Sequence, residues 1–261
     1  MEASLGAELL KLRKRRAVWS LVGAAVALLL VIGYALPYAR YLLTGDPAVL
    51  GRALPDRLAV TAVDGDVRYV GVLAFVLGVL SAGGEYGWTT LRTALVQRPS
   101  RTSVLAGKVV ALGVVNLVLV LAMFAAGAAA AALVAAAVPG GAPWPPPAGL
   151  TRGIASGWLI LQMWTVLGAL AGIALRGVAV PVGLGAAWLA GVETLLPALA
   201  HGPLAGLRPL RDALPGANAG ALVAALGRPA AGGERAALVV TAYLVAAVAL
   251  GVVLLRRRDV T

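Results

Sequence analysis

Few side chains in this sequence can do covalent chemistry, and most of those stand alone. There is no cysteine, so disulfides, thiolate metal sites and cysteine nucleophiles are excluded. The single histidine, His201, sits in Ala200-His201-Gly202, and Ser156 sits in Ile154-Ala155-Ser156-Gly157. A serine and a histidine base make a hydrolytic pair if a fold brings them together. Gly107-Lys108 ends like a phosphate loop. However, Val109 follows where Ser or Thr is needed, and Thr102 stands where the first glycine is needed. The chain is therefore not expected to bind ATP by itself, and it is assigned no catalytic residue, cofactor or metal. Glu193 interrupts an apolar run, and an intramembrane carboxylate is a functional candidate by default. Its other reading is a carboxylate in the headgroup layer, paired with Arg208 or Arg211. Asn116 and Gln162 lie in apolar runs, where polar side chains hydrogen-bond between helices. Met163 and Trp164, beside Gln162, are expected to contact lipid or to line an apolar pathway.

These residues are carried by a chain that is 61% hydrophobic and 13% charged, about half the charge of a typical soluble domain. The apolar residues fall in long uncharged runs, as in membrane-spanning helices. The expectation is an all-α polytopic membrane protein with six transmembrane helices, over residues 17–39, 69–84, 109–138, 153–175, 178–199 and 236–255. The first run is too long for a secretory signal and reads as an anchor. Trp19 and Tyr34, Tyr38 and Tyr41 lie near its ends as interface anchors. The second run is short, so Arg68 snorkels or the helix continues past Glu85. Pro139, Pro143, Pro145, Pro146 and Pro147 close the third run and leave 139–151 as a stiff outer loop.

Before the first run, residues 1–16 read as an interfacial helix. Leu5, Leu9 and Leu12 share one face, and Lys11, Arg13, Lys14, Arg15 and Arg16 supply charge. Residues 40–68 and 200–235 read as external loops, and within the latter Ala219–Leu226 could dip back into the membrane surface. The formal net charge of +11 does not indicate nucleic acid, because the basic residues flank apolar runs and suit anionic headgroups. The segments that fall inside with both termini cytoplasmic hold the larger share of Lys and Arg. That orientation is the expected one.

Residues 83–108, GGEYGWTTLRTALVQRPSRTSVLAGK, are the most informative segment. An acidic residue closes a span, a short helical stretch Trp88–Val96 follows, and Pro99 stops it. An Arg-Pro-Ser-Arg turn and a Gly-Lys pair lead into the next span. The pattern resembles the first cytoplasmic loop of permease subunits of bacterial type-2 ATP-binding-cassette (ABC) exporters. Glu85, Thr90, Arg92, Pro99, Ser100, Arg101, Gly107 and Lys108 match that family's pattern, while Thr89 stands where Gly is usual. The segment Glu8-Leu9-Leu10-Lys11-Leu12-Arg13 looks like the family's opening interfacial helix.

The resemblance implies a cytoplasmic coupling helix between spans 2 and 3, within residues 85–108. A separate nucleotide-binding ATPase subunit would dock there, on Glu85, Thr90, Arg92, Arg98, Pro99 and Arg101. ATP and Mg would be held by that partner. A second permease copy, identical or different, would complete a dimer in the bacterial cytoplasmic membrane. Glu193 is the candidate outer-gate residue. The resemblance implies a transporter subunit rather than an enzyme. Two other readings remain. Ser156, His201 and six spans resemble a rhomboid-like intramembrane serine protease, although that family places its His in a later Gly-rich span. The last reading is a non-catalytic membrane scaffold.

Overall fold

The computed structural model describes residues 2–87, 101–138, 142–201, 205–227 and 232–257. Among them the fold is all-helical, with no strand. Helix α1 is Glu2–Lys14, and α2 is Arg16–Thr44. Two 3-10 turns, Pro47–Leu50 and Pro55–Arg57, lead into α3, Leu58–Gly65. A π-helical stretch, Asp66–Val70, joins α3 without a break to α4, Gly71–Gly87. Then come α5, Arg101–Ala137, and α6, Pro147–Leu175. Helix α7, Ala179–Ala187, runs through π turns at Trp188–Val192 into α8, Glu193–His201. Two short helices follow, α9 (Arg208–Ala213) and α10 (Pro215–Gly227). Helix α11 is Gly233–Arg257.

Among the described residues, five helices are long and apolar enough to cross a membrane: Arg16–Thr44, Ser103–Ala137, Pro147–Leu175, Ala179–Leu196 and Gly233–Arg257. The apolar stretch Gly71–Gly84 is shorter. Their outward faces are apolar too. On α5, Val110, Val114, Leu117, Val118 and Leu121 are all exposed at helical spacing, a pattern that suits lipid and would be costly in water. The chain is a membrane-spanning protein.

Several elements begin or end away from the uncharged runs. Helix α2 carries on past Ala39 through Arg40 to Thr44, ending where Gly45 takes a left-handed φ of 68°. Pro37 cannot donate a backbone hydrogen bond, and the helix widens into π turns over Leu29–Ala35 just before it. The segment expected as a polar connection at 40–68 holds α3, whose Leu58, Ala62 and Val63 are buried. Its charge does not prevent this, because Arg52 Nη1 meets Asp64 Oδ2 at 3.2 Å. Pro147 does not lie in a loop but opens α6, where a proline costs no hydrogen bond. Arg176, at φ 51°, makes the turn out of α6.

Helix α6 is the centre of the bundle. Ile160, Leu161, Met163 and Trp164 are all buried on it. Its most extensive partner is α4, and the contact is made of glycine against backbone. A Cβ added at Gly168 would fall on the Phe75 carbonyl, one at Gly78 on the Thr165 carbonyl, and one at Gly83 on the Gly177 carbonyl. A Cβ at Gly172 would lie 2.8 Å from the Gly83 nitrogen. In a lipid phase such close backbone approach is what holds helices together. Met163 and Trp164 therefore face the core, and the expected lipid contact is not made. Residues 215–227, expected as part of an outer loop, form α10 instead. Its Ala219, Leu222 and Val223 join the core and pack near α3 and α11.

Candidate functional site

The candidate partner-contact residues flank a gap in the description. Thr90, Arg92, Arg98 and Pro99 lie outside the described residues. Glu85 falls in the last turns of α4 and Arg101 opens α5, with their side chains outside the description as well. The described parts of this end of the molecule are the two stems, α4 and α5, and the helix α1 that clamps them.

The clamp is a buried ion pair. Lys108 Nζ donates to Glu8 Oε2 at 2.8 Å and to the Ser81 carbonyl at 3.0 Å. Lys11 Nζ donates to Glu8 Oε1 at 2.7 Å. Both members of the Glu8–Lys108 pair have side chains only 5% exposed. Arg15 Nη1 reaches the Leu80 carbonyl at 2.7 Å. Glu8 on α1 thus holds Lys108 of α5, Lys108 in turn reaches the Ser81 carbonyl of α4, and Arg15, between α1 and α2, reaches the Leu80 carbonyl of α4. Leu12, with Leu5 and Leu9 beside it, packs against Leu77, Ala111 and Leu112. The apolar face of α1 turns to the bundle, and Arg13, Lys14 and Arg16 stay exposed. Burial pushes the Glu8 carboxyl up, but the Lys108 charge and the hydrogen bonds from Lys108 and Lys11 outweigh it, so Glu8 sits below its ordinary value. Neither partner could be matched to the other from sequence. Lys108, with Val104, Leu105, Ala106 and Gly107 before it and the uncharged run from Val109 after it, was the available sign that a carboxylate must reach it.

A second polar cluster ties α5 to α6. Asn116 Nδ2 donates to Gln162 Oε1 at 2.8 Å and to Thr165 Oγ1 at 3.1 Å. Gln162 Nε2 donates to the Val109 carbonyl at 3.0 Å, and Trp158 Nε1 to the Gly113 carbonyl at 2.8 Å. Asn116 and Gln162 are spent on helix pairing.

At the end of the bundle away from α1 lies a cavity of about 990 Å³. Its walls come from α3, α4, the two π segments, α6, α8, α9 and α10. Glu193 lines it. Trp188 Nε1 donates to Glu193 Oε1 at 3.1 Å, and the Gly216 backbone N–H donates to Oε2 at 3.2 Å. Gly216 lies in the first turn of α10, so the carboxylate also meets the positive end of a helix. Glu193 does not take the expected arginine. Arg211 Nε instead donates to Asp212 Oδ1 at 2.8 Å. Trp164 lines the same cavity, while its indole Nε1–H is fully buried and has no hydrogen-bond partner among the described residues.

The candidate hydrolytic pair is not assembled by extensive packing. Ser156 lies half-buried on α6, His201 ends α8 with its side chain outside the description, and these two helices are not among the extensively packed pairs. Among the described residues, no group of His, Asp and Glu could hold a metal ion. No protein-family model matches the chain, and a search of curated proteins finds no match.

Proposed function

We propose that the chain is the transmembrane permease subunit of an ATP-driven ABC exporter. In this reading it has six spans, Gly71–Gly84 forming the core of the second, and both termini are cytoplasmic. It lies in a bacterial cytoplasmic membrane and pairs with a second permease copy. A separate ATPase subunit docks on a coupling helix within residues 85–108. ATP and Mg belong to that subunit.

The observation that carries the reading is the spacing of Glu85, Thr90, Arg92, Pro99, Arg101 and Lys108, together with the buried grip of Glu8 on Lys108. A loop that receives a push must rest on stems that do not yield. Here Glu8 of α1, Lys108 of α5 and Arg15 tie the two stems together at the base of the loop. From α4 a displacement passes into α6, because their backbones touch through glycines and leave no soft side chains between them. The partner would then drive transport by stabilising one of two span arrangements over the other.

Arg92 is the residue to test. Arg92→Glu should leave the chain folded and bound in the membrane, while substrate efflux falls by more than about tenfold relative to ATP hydrolysis, the range of an ordinary coupling energy. The readout is efflux per ATP consumed in vesicles holding both subunits. Unchanged efflux per ATP would remove Arg92 from the mechanism.

A further inference from the structure

We propose that the cavity lined by Asp64, Trp164 and Glu193 binds an organic monocation with an apolar body, with Glu193 as its counter-charge. As a transport site it rests on the exporter reading; as a binding site it does not.

The cavity has the capacity. About 990 Å³ lies at the upper end of the range for small-molecule pockets. Its charge is lopsided. Asp64, Glu193 and Asp212 line it against Arg211. Arg211 is joined to Asp212, and Arg52 to Asp64. Glu193 has only neutral donors among the described residues, the Trp188 indole and the Gly216 N–H. Among the described residues, the Glu193 carboxylate is therefore left without a counter-ion. An anion would be repelled there, and a neutral guest would leave the charge unanswered. A single positive charge fits.

Glu193 is also held in position. A Cβ at Gly216 would lie 2.5 Å from Glu193 Oε2, so glycine is what allows the carboxylate to sit against the backbone. Val67, Val72, Leu189 and Ala221 supply apolar wall. Both π segments next to this region, Asp66–Val70 and Trp188–Val192, lend residues to the cavity wall, and π turns within helices gather at functional sites.

The test is equilibrium binding of tetraphenylphosphonium to the full chain in detergent, without any ATPase partner. Tetraphenylborate, of the same shape and opposite charge, is the control. The expected result is saturable binding of the cation, no competition by the borate, and at least about tenfold weaker binding in Glu193→Gln. Gly216→Ala should weaken it too, by displacing the carboxylate. Should Glu193→Gln fail to fold, Gly216→Ala and the borate control decide the matter. Absent saturable binding, equal binding in the variants, or equal binding of the borate would overturn the assignment. None of these outcomes touches the exporter reading, because the partner is not in the assay.

Discussion

Gly168→Ala is expected to destabilise the chain by about 3 kcal/mol, near the upper end for overpacking. The added Cβ would meet the Phe75 carbonyl, with the Phe75 Cα behind it. Backbone cannot rotate away as a side chain can. The helices must separate, and α4 and α6 lose the contact that centres the bundle. Gly78→Ala should act alike through the Thr165 carbonyl. Gly183→Ala is the control, since nothing lies within 4 Å of its added Cβ. That variant should stay within about 0.5 kcal/mol of the parent. Thermal unfolding of the detergent-solubilised variants measures both. Equal midpoints for Gly168→Ala and Gly183→Ala would mean that α4 and α6 do not meet through their glycines.

Lys108→Met is expected to cost about 3 kcal/mol, the low end for breaking a buried pair. Most of that is the penalty on Glu8, which stays buried with only Lys11 beside it. Helix α1 should loosen, and trypsin should then cut faster at Lys11, Arg13 and Lys14. Glu8→Leu/Lys108→Met removes both charges and should recover most of the stability, since apolar replacement of a buried pair is often neutral. The pair also carries a pH signature. The folded-state value of Glu8 is depressed, so its stabilisation is complete above the ordinary carboxylate range. It is lost as pH falls through the depressed value. The parent should release α1 in that acid window, and the double variant should lack the step. A double variant as loose as Lys108→Met at neutral pH would contradict the pairing.

The helical class and most of the spans were legible because uncharged runs are local signals. The exceptions share a physical reason. Helix α3 was hidden by Asp64 and its neighbours, whose charge looks like a loop until Arg52 is seen to answer it. Helix α10 was hidden by Gly and Pro residues around it, although Ala219, Leu222 and Val223 repeat at helical spacing. Pro147 looked like the end of a loop and is the start of a helix. At the site, Lys108 was legible as part of a motif, and Glu8 as part of a helix. Their meeting was not, because 100 residues separate them, from α1 to the start of α5. The cavity could not be read at all. Glu193 was visible as an interruption, but Gly216 and Trp164 come from distant segments, and no local pattern brings them together.

Among all these expectations, the central one is that residues 88–98 receive an ATPase. The direct measurement is affinity recovery of the tagged full chain from its native membrane, with the co-purifying proteins quantified. A nucleotide-binding subunit in stoichiometric amount, lost when residues 88–98 are deleted while the chain remains folded, is the predicted result. A chain that comes down without an ATPase, or one that keeps its ATPase after the deletion, would contradict the account.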